Sequence, residues 1–130
     1  MARPKTKKGI LTDLEMEIMQ IIWSHSVPSD VETISAQLET RSRKLAPPSI
    51  RTMLGILEEK GFVSRSQEGR RHCFTAKITR PEAQQNLLGE VVDTAFQGSP
   101  SALFAALLGS DKLKASDLET IRSLIDKSRP

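Results

Sequence analysis

PPSIRTMLGILEEKGFVSRSQEGRRHCFT, residues 47–75, decides the fold of this chain. Ile50, Met53, Leu54 and Leu57 recur at the i, i+3, i+4, i+7 spacing of a helix with one buried stripe. Counting about 100° per residue, the opposite face presents Pro48, Thr52 and Gly55, flanked by Ser49, Arg51 and Ile56. Pro47 and Pro48 suit a first helical turn, where a missing N–H costs little. Lys60-Gly61 predicts the stop, with a cation near the carbonyl end and a glycine able to take the left-handed cap. Residues 62–66 and 71–76 then read as two strands joined by a turn, Gln67-Glu68-Gly69-Arg70. A helix with a small polar outer face, followed by a hairpin with a basic tip, is the arrangement of a winged helix-turn-helix. DNA is the partner it predicts.

Upstream, Thr12 and Glu15 form a capping box, with Leu11 and Met16 as a hydrophobic staple. Leu14, Ile18, Ile21 and Ile22 supply the buried stripe of a first helix, with Met19 and Trp23 on its margins. After a loop at 24–28, Ser29 with Glu32 predicts a second capping box, and Val31, Ile34 and Leu38 face inward. Downstream, Thr79 with Glu82 signals a new helix bearing Leu87, Leu88, Val91, Val92, Ala95 and Phe96. Gly98 breaks it. Ser99-Pro100 starts a helix with Leu103, Phe104, Leu107 and Leu108, and Ser116 with Glu119 predicts the cap of the last, with Leu118, Ile121, Leu124 and Ile125. The expected fold class is mainly α with a small β-hairpin: a winged helix over 10–78 and a helical dimerisation domain over 79–130, preceded by a flexible basic tail at 1–9.

Composition limits the alternatives. The 130 residues carry a net charge of +3. Residues 1–80 hold 14 Lys+Arg against 9 Asp+Glu, whereas residues 81–130 hold 5 against 7, so the basic excess coincides with the winged helix. No apolar run approaches the roughly 18–20 residues of a membrane span, and the basic N-terminus lacks an export signal's apolar stretch. The expected location is cytoplasmic, which agrees with a single cysteine. His72 and Cys73 point to opposite faces of a strand and cannot form a catalytic pair there. With no phosphate-binding glycine loop and no zinc-ligand spacing, neither enzyme activity nor a metal or cofactor is expected.

The chain resembles the penicillinase-repressor (BlaI/MecI-type) family. The resemblance is carried by LTDLEMEIMQIIW (11–23), PPSIRTMLGILEEKGFVSR (47–65), EGRRHCFT (68–75), FQGSPSALFAALLG (96–109) and LKASDLETIRSLID (113–126), and covers nearly the whole chain from residue 10. It implies a homodimeric winged-helix repressor that binds an inverted-repeat operator, blocks a promoter and dimerises through its C-terminal helices. The β-lactam-responsive members are cleaved at an Asn-Phe bond in the helix matching 101–108. This chain reads SALFAALL there, with Ala105-Ala106 at the corresponding place. It also lacks the C-terminal cysteine cluster of the copper-responsive branch, and Pro48 and Ile56 stand where relatives often carry polar or basic residues.

The expected base or groove contacts are Ser49, Arg51, Thr52, Gly55 and Ile56, because a guanidinium chelates a guanine edge and a threonine methyl meets thymine. Arg41, Arg43, Lys44, Arg70 and Arg71 are the expected phosphate or wing contacts, with Lys5, Lys7 and Lys8 as a weaker arm. Leu88, Val91, Val92, Phe96, Leu103, Leu107, Leu118, Ile121, Leu124 and Ile125 exceed what three short helices can bury and are assigned to a two-fold homodimer. Two alternatives stay open: a winged-helix protein-interaction module, and a redox-responsive regulator using Cys73.

Overall fold

The computed structural model describes residues 10–129 and divides into two compact units, Met1–Leu88 and Gly89–Pro130. The expected basic tail, with Lys5, Lys7 and Lys8, lies outside the described residues. In the first unit the helices are α1 (Asp13–Trp23), α2 (Val31–Arg41) and α3 (Pro47–Lys60); the strands are β1 (Ser29–Asp30), β2 (Val63–Glu68) and β3 (Arg71–Ala76). A further helix, α4 (Arg80–Ala95), begins in this unit, and α5 (Pro100–Leu108) and α6 (Ala115–Ser128) complete the chain. The three strands form one antiparallel sheet in the order β1-β3-β2. Three helices and a wing around one mostly aliphatic core, with Phe62 and Phe74 in it, make a winged helix-turn-helix. Among the described residues no helix is long and apolar enough to cross a membrane.

α1 starts as expected: Thr12 Oγ1 accepts from Glu15 N at 3.2 Å and Glu15 Oε1 accepts from Thr12 N at 2.9 Å. Ile18, Ile21 and Ile22 are buried as expected, but Leu14 is only half-buried, and the buried row is completed by Met19 and Glu15. A carboxylate can occupy that row because Lys60 Nζ, 45 residues away at the end of α3, donates to both its oxygens at 2.9 and 3.0 Å. The ion pair fastens α3 to α1. The Lys60 ammonium therefore does more than complement the end of its own helix.

Two expectations around α2 and the hairpin need correction. Ser29 does not cap α2. It lies in β1 opposite Phe74, and Asp30 caps the helix by accepting from Thr33 N at 2.8 Å. Pairing residues 29–30 with β3 moves the helix start on by one residue, and aspartate is as good a cap as serine. The hairpin turn is also narrower than expected. Glu68 pairs with Arg71, which leaves only Gly69 and Arg70 between the strands, and Gly69 takes the positive φ of 65° that such a short connection needs. At the end of α3, Gly61 is the expected left-handed cap, at φ 87°, and Phe62 N donates to Leu57 O at 2.9 Å.

The Thr79–Glu82 capping box of α4 forms as expected. Ser99 caps α5 by accepting from Ala102 N at 3.1 Å. α6 starts earlier than expected. Asp117 Oδ2 accepts from Lys114 N at 3.0 Å, a one-sided contact between residues 114 and 117 in place of the expected Ser116–Glu119 box. Two carboxylates at suitable spacing compete for that role, and the earlier one lengthens the helix.

Candidate nucleic-acid interface

α3 has a dry face and an open face. Ile50, Leu54 and Leu57 are completely buried, while Pro48, Ser49, Arg51 and Thr52 are exposed and Gly55 and Ile56 half-buried. Thr52 Oγ1 donates to Pro48 O at 3.1 Å, which commits its proton and leaves its lone pairs as acceptors. A Cβ at Gly55 would meet nothing within 4 Å, so nothing in the chain's own packing requires glycine there. Ile56 is half-buried, which limits how far it reaches outward.

The basic residues before α3 are differently committed. Arg43 Nη2 pairs with Glu17 Oε2 at 3.3 Å, and Ser42 Oγ donates to Glu17 Oε1 at 3.0 Å, so this loop is tied back to α1. Arg41 and Lys44 are exposed and carry no ion pair among the described residues.

In the wing, Arg65 Nη2 donates to Glu58 Oε1 at 2.9 Å and its guanidinium lies 5.1 Å above the Phe74 ring. Arg71 Nη1 donates to Asp30 Oδ2 at 2.6 Å. Hydrogen bonds from Thr33, with desolvation opposing and Arg71 assisting, hold the Asp30 carboxyl below its ordinary value. Arg51 from α3 and Arg65, Arg70, Arg71 and His72 from the wing line one cleft of about 240 Å³, with Asp30 and Glu32 as its acidic members. Four guanidinium groups and one imidazole thus share the cleft with two carboxylates.

A family model described as penicillinase repressor matches residues 11–127. The chain belongs to the penicillinase repressor family. It is 24% identical over 119 residues to the penicillinase repressor of Bacillus licheniformis, a match spanning 92% of this chain and 91% of that one. It is 28% identical over 109 residues to the transcriptional regulator BlaI of Mycobacterium tuberculosis, spanning 81% and 78%. A solution structure of the DNA binding domain of the repressor BlaI is 32% identical and covers 55% of this chain and 85% of that one, with a TM-score of 0.49. The family is one of repressors.

Of the residues expected to face DNA, the cleft gathers Arg51, Arg70 and Arg71. Arg41, Arg43 and Lys44 do not line it, and neither do Ser49, Thr52, Gly55 or Ile56. Sequence reading missed Arg65, His72 and Asp30. The register supplies the signal for the first two: with Val63 buried, alternation puts Arg65 and its cross-strand neighbour's partner face, Phe74 and His72, on the same side of the hairpin. Cys73, next to His72, is buried, which denies its thiol the exposure that redox sensing needs.

Proposed function

We propose that this penicillinase repressor family member is a sequence-specific transcriptional repressor that binds an inverted-repeat operator as a homodimer in the cytoplasm. The observation that carries the DNA reading is the convergence of Arg51, Arg70 and Arg71 beside the open face of α3. In this reading residues 10–78 are the DNA-binding domain. α3 enters a major groove, Arg51 and Thr52 meet base edges, and Ser49, Gly55 and Ile56 complete the approach. Arg70 and Arg71 at the wing, with Arg41, Arg43 and Lys44 from the preceding loop, engage backbone phosphates. Occupying the promoter excludes polymerase.

The homodimer reading rests on the C-terminal residues, 79–130, proposed as the dimerisation domain. No described residue of Gly89–Pro130 is buried. Leu118, Leu124 and Ile125 are exposed, as is Leu88 just before this unit, while Val91, Val92, Phe96, Leu103, Leu107 and Ile121 are only half-buried. Helices this apolar need a partner surface to gain stability, and a second copy supplies a self-complementary one. Two-fold pairing places two α3 helices at a fixed spacing, as an inverted repeat requires.

The experiment is duplex binding over a salt series with wild type, Arg51→Ala and Arg70→Ala/Arg71→Ala. Wild type should lose affinity steeply as salt rises. Arg51→Ala should weaken discrimination between sequences, and the double variant should weaken binding to all of them. Unchanged binding in both variants would refute the proposed surface.

A further inference from the structure

We propose that the cleft between α3 and the wing is an oxyanion site of the phosphate class, with Arg65, Arg70 and His72 as its donors and Asp30 as a built-in competitor for Arg71. For a phosphate supplied by DNA, this rests on the repressor reading above; for a free phosphate it stands without it.

The donors differ in how they are held. Arg70 carries no ion pair among the described residues. Arg65 is oriented by stacking on Phe74 and by Glu58, which leaves part of its five-donor fork unused. Arg71 is held by Asp30, yet its side chain is 63% exposed while that of Asp30 is 11% exposed. Asp30 is therefore the fixed partner and Arg71 the movable one. Asp30 Oδ1 stays on Thr33 N at the start of α2, so only Oδ2 loses a contact when Arg71 turns to an arriving oxyanion. The cavity, about 240 Å³, admits a single phosphate group with part of what bears it. Asp30 then lowers the affinity for any phosphate, and sets how much of the wing's charge is available before a ligand arrives.

Two full-chain measurements test this, with Asp30→Asn and Arg65→Gln as variants. Asparagine caps a helix as well as aspartate, and circular dichroism checks that both variants fold. The first measurement is fluorescence anisotropy on a mixed-sequence duplex across a NaCl series. Asp30→Asn should bind more tightly, with the slope of log K against log[NaCl] steeper by about 0.9, and Arg65→Gln should be shallower by about the same amount. The second is an amide NMR titration with inorganic phosphate, with chloride at equal ionic strength as control. Phosphate-specific shifts at Arg65, Arg71 and His72, lost in Arg65→Gln, show that the site accepts free phosphate. Silence in that titration, together with the slope changes, assigns the site to the DNA backbone. Unchanged slopes in both folded variants together with a silent phosphate titration would overturn the proposal. If wild type bound no duplex, the repressor reading would fail, and the phosphate titration would decide the cleft by itself.

Discussion

Lys60→Met removes the cation that faces the most buried carboxylate of the first unit. The Glu15 side chain is 3% exposed and that of Lys60 22%, so losing the ammonium strands the more deeply buried charge. Breaking a buried pair from one side costs about 3–5 kcal/mol. Thr12 N still donates to Glu15 Oε1, which places this variant near the low end, at about 3 kcal/mol. For a domain of this size each kcal/mol lowers Tm by about 4–8 °C, giving a fall of about 12–24 °C. Glu15→Gln should be milder, about 1–2 kcal/mol, because the amide oxygen still accepts and the ammonium keeps some water. In Glu15→Leu/Lys60→Met neither charge is stranded, and that variant should be more stable than Lys60→Met despite losing the capping contact. Urea unfolding at fixed protein concentration, followed by fluorescence of Trp23, the chain's single tryptophan, measures all three. Its Nε1 donates to Ile78 O at 2.9 Å, so it reports on the first unit. A loss below about 0.5 kcal/mol in Lys60→Met, well under the usual cost of breaking such a pair, would refute the reasoning.

Gly61→Ala should cost about 1–2 kcal/mol through the backbone alone, since φ is 87° and a Cβ would meet nothing within 4 Å; denaturant midpoints measure it. The lowered Asp30 pKa contributes stability that is present above its ordinary value of 3.8 and lost as pH falls through the lower folded value. Asp30→Asn should therefore flatten the acid limb of the stability–pH curve below about pH 4, as urea midpoints in acid would record, and an unchanged limb would contradict this. Leu118→Asp/Ile121→Asp should give monomers in sedimentation velocity and weaken operator binding. An unaltered dimer would place the interface elsewhere.

Much of the first unit was legible because its signals are local. Pro-Pro at 47–48 and Lys-Gly at 60–61 mark both ends of α3, and the Thr12–Glu15 and Thr79–Glu82 boxes each close within one helical turn. What escaped depends on distant partners. β1 is two residues long and exists by pairing with β3, so no periodicity announces it, and with it the cap moves from Ser29 to Asp30. Glu15 reads as a capping residue from sequence; that it also faces the core becomes visible only when Lys60 arrives beside it. The turn was read too wide because Gln67 and Glu68 look like turn residues until the Glu68–Arg71 pairing extends the ladder. Near residue 115 the sequence favours Ser116 as the cap, and the earlier start shows only in the bond from Lys114 N to Asp117 Oδ2. At the site, the arginines at 51, 70 and 71 were found by residue type and position, whereas Arg65 needed the strand register and Asp30 needed the third strand.

Selection of duplexes bound by the full chain from a random-sequence pool tests the central claim most directly, because it reads sequence preference and two-fold pairing together. The account predicts an enriched inverted repeat whose half-site centres lie about one helical turn, or a whole number of turns, apart. A pool that stays random, or one that converges on a single unrepeated site, would contradict it.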